Sequence, residues 1–246
     1  MDVRKKKLPI GIENFEKLRS EDFYYIDKTW LISDLLHNWG EVNLFTRPRR
    51  FGKSLNMSML EHFFSLNGDK SIFDGLEISK EASLCEEYMG KYPVVSISLK
   101  GIDARSYETA YQMAVRVIIE AAAKFYFLLD SEKLNDHDKA DYKDLLDKNM
   151  NEGMLGSSLK LLSGMLEKHY GAKVILLIDE YDVPLAKAHA NGYYDQMISL
   201  IRSLLGEALK TNNSLKLAVL TGCLRISKES IFTGLNNLKV LTIADE

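Results

Sequence analysis

The sequence predicts an α/β fold built on a mostly parallel five-stranded sheet. Three observations carry this. Short β-branched or apolar runs alternate with helical patterns, as in successive βαβ units. The run VILLID over 174–179 is continuously apolar up to its acidic end, as expected of a strand covered on both faces. A glycine-punctuated basic segment, RPRRFGKS, stands between a short apolar run and a helical pattern.

The elements follow in order. Asp27 or Thr29 is placed to cap a helix running to about Asn38, with Trp30, Leu31, Leu35 and Leu36 on its apolar face and Gly40 ending it. Residues 42–46 form the first strand. From Lys53 the pattern turns helical, with Leu55, Met59, Phe63 and Leu66 at three- or four-residue spacing. Met57, Met59, Phe63 and Phe64 read as core. The second strand is PVVSISL over 93–99, followed by a long helix over about 106–129. Residues 130–152 are rich in Asp, Lys and Asn and read as a solvated connection with helical turns. A helix over about 157–170 leads to Gly171 and the strand 174–179. A helix over 194–210 precedes the strand 215–221, and 238–243 is the fifth. Phe125, Tyr126 and Phe127 are consecutive, so at least one must face outward.

Composition bounds the function. The chain has 246 residues, 46% hydrophobic and 27% charged, which excludes disordered and fibrous classes. A net charge of -3 excludes a global polybasic field for coating nucleic acid. Two cysteines exclude a disulfide framework and a four-cysteine zinc site, and two thiols expected to be buried fit a reducing cytoplasm. The five histidines show no HExxH spacing. The apolar stretch 117–129 contains Glu120 and Lys124 and falls short of the ~18–20 residues a membrane helix needs. The start, MDVRKKKLPIG, has no apolar segment before a cleavage site, so no secretion signal is read. Few prolines and no Ser/Gly-rich linker predict one domain over 1–246, with a lead-in segment and helix over 1–40 and a core over 41–246.

In parallel α/β sheets the ligand crevice lies outside the carboxyl ends of the strands, so the residues after Thr46, Leu99, Asp179 and Thr221 carry the interest. The segment Arg47-Pro48-Arg49-Arg50-Phe51-Gly52-Lys53-Ser54 matches the last three positions of the phosphate-binding pattern GxxxxGK[ST], with Arg47 at the first glycine. Gly52 lets the backbone approach a phosphate without a Cβ in the way. The N–H groups near Lys53, Ser54 and Leu55 offer donors at a helix start. Lys53 is suited to the β- and γ-phosphates and the Ser54 hydroxyl to Mg²⁺. Arg47, Arg49 and Arg50 add three guanidinium groups suited to phosphate oxygens. A basic solvated turn would carry the same residues.

The acidic pair Asp179-Glu180 favours the phosphate reading, while acids at a strand end also serve simply to cap the next turn. Asp179, at the strand tip, is expected to bind a water on the metal, and Glu180 to orient and polarise the attacking water. Tyr181 and Asp182 either tune the pair or belong to the surface. Lys5, Lys6 and Lys7 read as a frayed terminus, and Cys223 has no histidine near it in sequence to act as base.

The segments YIDKT (25–29), FTRPRRFGKSL (45–55), LLIDEYDVPL (176–185) and LTG…SKESIFTGLNNL (220–238), with the opening LPIGIENFEKLR, resemble the bacterial and archaeal AAA-ATPase-like family across nearly the whole chain. Arginine in place of the first P-loop glycine is usual there. The resemblance implies a P-loop NTPase fold of the ASCE/AAA-like type, a three-layer α/β/α arrangement with the strand 215–221 inserted between the Walker A and Walker B strands. It makes Thr221 the sensor position. Arg225 is then either a charge-stabilising arginine or a surface one. Asp27 and Lys28 belong to the family's motif, and either touch the nucleotide or brace the loop.

The resemblance implies ATP and Mg²⁺ as ligands, a hydrolase of cytoplasmic location, no membrane partner, and an unassigned oligomeric state. Family members usually continue into a helical lid and a PD-(D/E)XK nuclease-like domain, through which nucleic acid would be a partner. Both are expected to be absent here, since the chain stops at Glu246 soon after the fifth strand. The expected function is ATP hydrolysis driving a conformational change in an attached effector. The alternatives are a nucleotide-binding switch or scaffold with little turnover, and an interaction domain that binds no nucleotide.

Overall fold

The long apolar strands pair side by side into a parallel sheet. The computed structural model describes residues 6–38, 40–223, 232 and 237–241. Its strands are β1 (Val42–Thr46), β2 (Val94–Ser98), β3 (Val174–Asp179), β4 (Leu215–Gly222) and β5 (Leu238–Leu241), in the order β2-β3-β4-β1-β5. β3 pairs parallel with β4, β4 with β1, and β1 with β5. The sheet is all-parallel, and β4 lies between β1 and β3, as the resemblance implies. The fifth strand is described to Leu241; the rest of its expected span lies outside the described residues.

The helices are α1 (Phe15–Ser20), α2 (Trp30–His37), α3 (Lys53–Phe64), α4 (Ala82–Tyr88), α5 (Tyr107–Ala123), α6 (Asp136–Asp144), α7 (Glu152–Tyr170), α8 (Val183–Asn191) and α9 (Tyr194–Leu209). The chain divides into two units, residues 1–39 with 49–94, and residues 40–48 with 95–246.

The first unit has an aromatic core. Phe15 meets Tyr25 and Phe73 with ring centroids 5.4 and 5.2 Å apart, and Phe63 meets Phe64 and Phe73 at 5.1 and 5.5 Å. α3 supplies Met57, Met59, Leu60, Phe63 and Phe64 to it, all buried. The expected apolar stripe of this helix shifts: Leu55 is only half-buried and Leu66 lies past the helix end. α2 also turns differently from its predicted face. Ile32, Leu35 and Leu36 are buried, whereas Trp30 is 53% exposed at the first position. Leu35 and Leu36 keep their predicted place in the core, but about two turns of helix have too few positions for the pattern to fix the whole face.

In the second unit Val42, Leu44, Val95, Ile97, Val174, Leu176, Ile178, Ala218 and Leu220 share one core with the buried stripes of α5, α7 and α9. Every residue of β3 is buried. The polar stretch 130–152 is more ordered than its composition predicts. It contains α6, which Asn135 and Asp138 start with a reciprocal capping box. Tyr142 on α6 is fully buried and donates to the Ala122 carbonyl at 2.6 Å. Tyr142, together with the buried Asp138 that pairs with Lys168 at 2.5 Å, thus anchors a helix most of whose other positions are at least partly exposed. α7 starts at Glu152, earlier than predicted, because the Asn151 side chain accepts from the Met154 N–H.

Candidate functional site

The carboxyl end of the sheet, in the second unit, gathers the acidic candidates. Ile178 pairs with Leu220, so the next residues, Asp179 and Thr221, lie side by side at the strand ends. Both are buried. The Thr221 hydroxyl donates to an Asp179 carboxylate oxygen and accepts from the Glu180 N–H at 3.3 Å. Thr221 therefore orients the carboxylate and the start of the following turn together. Glu180 has φ +53, in the left-handed region, with a half-buried side chain. Holding a glutamate there costs about 1–3 kcal/mol, which the surrounding bonds must offset. The Tyr181 N–H donates to the Thr221 carbonyl at 3.1 Å, and α8 begins at Val183 with a proline in its first turn.

Tyr181 and Asp182 are not surface residues. Tyr181 is fully buried, its ring 5.4 Å from that of Phe232. Asp182 is 3% exposed and accepts from the Cys223 N–H at 2.9 Å. Gly222 makes this packing possible. A Cβ there would lie 2.6 Å from a Tyr181 ring atom and 2.9 Å from an Asp182 oxygen. Nothing in the local pattern around Gly222 announces this requirement.

Arg47, also in the second unit, occupies the place of the first P-loop glycine. Its N–H donates to the Gly222 carbonyl at 3.1 Å. Its guanidinium donates to the carbonyls of Thr46 and Leu241 at 3.0 and 3.2 Å. These bonds tie together the ends of β1, β4 and β5. Arg47 therefore stitches strand ends, a role its charge alone did not suggest.

The first unit carries the rest of the basic loop. Arg49, Arg50 and Phe51 are exposed. Arg50 and Gly52 both have positive φ, +69 and +75, which coils the chain just before α3. Gly52 is the residue preceding the helix, and its carbonyl accepts from the Asn56 N–H at 2.9 Å. Lys53 opens α3 with its side chain buried, and Ser54 and Leu55 are half-buried beside it. The coil and the helix start leave the first N–H groups of α3 without intrahelical acceptors, a positive helix end suited to an anion.

The 25–29 segment of this unit is a brace. The Asp27 carboxylate accepts from the Thr29 N–H at 2.8 Å, the Thr29 hydroxyl at 2.7 Å and the Glu77 N–H at 2.7 Å. Burial alone would raise its pKa, but these hydrogen bonds outweigh burial and hold it below the usual carboxylate value. The Tyr25 hydroxyl accepts from the Lys28 N–H and donates to Met59 on α3. Burial pushes this phenol up to about 12, so it stays a neutral donor and acceptor. Of the two predicted caps of α2, Thr29 takes the N-cap position, without a side-chain bond, and Asp27 does not.

In the second unit Asp179 offers carboxylate oxygens held by Thr221, a donor suited to a hard cation. Among the described residues no group of three or more His, Cys, Asp and Glu gathers as a metal cluster. A magnesium that is carried by phosphate oxygens and water needs only one or two protein ligands. Arg225 lies outside the described residues. Cys85 and Cys223 are free and half-buried, not fully buried as expected. Among the described residues no helix is long and apolar enough to cross a membrane.

The family model described as Predicted AAA-ATPase matches residues 9–232. The chain belongs to the predicted AAA-ATPase family. An uncharacterized protein encoded in the vnfD 5' region of Azotobacter chroococcum mcd 1 is 29% identical over 98% of this chain. The chain spans 42% of that relative's length. No solved structure matches it. Membership in this family suggests nucleotide binding.

Proposed function

We propose that this chain binds ATP with Mg²⁺, hydrolyses it, and uses the cycle to drive a conformational step in an attached effector or partner. One observation supports this above the others: the Asp179 carboxylate at the end of β3 is oriented by Thr221 on the inserted strand β4. A buried acid bonded to a hydroxyl on the neighbouring strand is costly as mere surface decoration. The bond fixes the orientation of the carboxylate, as a ligand of Mg²⁺ needs.

The roles follow from the chemistry of each group. The N–H groups of Gly52, Lys53, Ser54 and Leu55 bind phosphate oxygens, and the Lys53 ammonium neutralises the β- and γ-phosphates. Arg49 and Arg50 are long exposed cations that draw the polyphosphate to the loop, and Phe51 beside them covers it. Ser54 and Asp179 would hold Mg²⁺, which when bound supplies charge neutralisation on the phosphates. Glu180 orients the attacking water and accepts its proton. Thr221 keeps Asp179 and the Glu180 backbone in register. Arg47 keeps the strand ends together.

Calorimetric titration with Mg-ATP and Mg-GTP, followed by phosphate release over hours with and without double-stranded DNA, tests this reading. Micromolar binding with release supports it. Binding without release under every condition would make the domain a nucleotide switch. At ~100 times its dissociation constant a bound nucleotide stabilises the folded chain by roughly 2.7 kcal/mol, so no thermal shift at millimolar Mg-ATP or Mg-GTP would end the nucleotide reading.

A further inference from the structure

Lys28 stands beside the loop glycine. Its Nζ lies 3.8 Å from the point that a Cβ on Gly52 would occupy. That point matters because glycine leaves empty the space through which a phosphate reaches the backbone N–H groups. An ammonium bonds a phosphate oxygen at about 2.7–2.9 Å, so an anion seated over Gly52 is within its reach.

The ammonium is also kept available. Among the described residues Lys28 Nζ has no hydrogen-bond or ion-pair partner, whereas Lys6 and Lys80 of the same unit pair with Asp22 and Glu77 at 2.6 and 2.5 Å. The carboxylate next to it, Asp27, is taken up by Thr29 and Glu77. Its backbone is fixed on both sides: the Lys28 N–H donates to Tyr25 at 3.1 Å and its carbonyl accepts from Leu31 at 3.0 Å. Tyr25 in turn bonds Met59 on α3, so the strap that carries Lys28 is tied to the helix that Gly52 precedes.

We infer that Lys28 is a second phosphate-binding cation of this loop, contacting the polyphosphate chain of the nucleotide over Gly52 alongside Lys53. The inference rests on the nucleotide reading above and adds to it a residue some twenty-four positions upstream of the P-loop glycine.

Lys28→Met and Lys28→Arg, titrated calorimetrically with Mg-ATP and with inorganic tripolyphosphate, test it. Loss of a charge-assisted bond predicts that Lys28→Met weakens both ligands by about tenfold to a hundredfold, with most of the affinity restored in Lys28→Arg. Equal losses for both ligands identify the contact as one to phosphate, since tripolyphosphate has no base or sugar. Affinities of Lys28→Met within twofold of the unaltered chain would overturn the assignment. So would a loss that arginine fails to rescue and that comes with a lowered melting temperature of the free protein, because the residue would then be structural. Should Lys28→Met not fold, lysine acylation of the unaltered chain gives the answer: Mg-ATP protects Lys28 if the inference holds and leaves its labelling unchanged if it does not. If the unaltered chain binds neither Mg-ATP nor Mg-GTP, the nucleotide reading fails first and takes Lys28 with it.

Discussion

The basic loop before α3 and the acidic tip of β3 are built by different means. The loop takes its form from backbone conformation: Arg50 and Gly52 coil the chain through positive φ, and Arg49 and Arg50 stand in solvent. The tip takes its form from side-chain bonds and burial. Asp179 is bonded to Thr221, 42 positions away in sequence, and Tyr181 and Asp182 are buried against the end of β4. The contrast is chemical. A helix start presents its donors once the chain is coiled correctly, so local sequence suffices. A carboxylate that must point in one direction needs a partner on another strand, since its own rotamers leave it free.

Substitutions test this contrast, beginning with the largest expected effects. Lys53→Ala is expected to abolish Mg-ATP binding in a calorimetric titration while the fold, followed by circular dichroism, persists. Unchanged affinity would remove Lys53 from the site. Glu180→Gln keeps one hydrogen-bonding oxygen and loses the base, so affinity should stay within threefold while phosphate release falls by roughly 10²–10⁴-fold. Retained hydrolysis in this variant would refute the base assignment.

Two glycines separate the two building methods directly. Gly222→Ala places a Cβ 2.6 Å from the Tyr181 ring. Thermal or urea unfolding should show a loss of about 1–3 kcal/mol, as for overpacked cores. Gly52→Ala meets nothing closer than 3.8 Å. Its cost is the left-handed backbone alone, about 1–2 kcal/mol, with the nucleotide affinity lowered as well. If the two variants were equally stable and equally weak in binding, the contrast would fail.

The smallest effect concerns the brace. Asp27 titrates below its unfolded value, because hydrogen bonds from Thr29 and Glu77 outweigh the burial that opposes them. A depressed carboxylate contributes stability that is fully present above its unfolded pKa, about 3.9, and is lost as pH falls through the folded value. Asp27→Asn should therefore lower stability by about 1 kcal/mol at neutral pH and flatten the acid limb of the unfolding curve below about pH 4. An acid limb identical to that of the unaltered chain would show that other carboxylates govern it.

Much was legible before any coordinates. The continuous apolar run at 174–179 with its acidic end, the GKS after a short strand, and the alternation of strands and helices are local patterns, and each names an element and its type. Two expectations hold only in part: the helical turns of 130–152 include an anchored helix, and on α2 Leu35 and Leu36 are buried as expected while Ile32 takes the place given to Trp30. A short window averages away the few positions that are anchored, such as Tyr142 and Ile32.

Residue order thus set the kinds of element, their succession and the chemical groups on offer. It could not set the pairing of Thr221 with Asp179, the use of Arg47 on three strand ends, the space that Gly222 leaves for Tyr181, or the approach of Lys28 to Gly52. Periodicity reports which side of an element avoids water, and that is a property of neighbours in sequence. Which polar groups meet depends on segments tens of residues apart being folded against each other, and no local pattern encodes that distance.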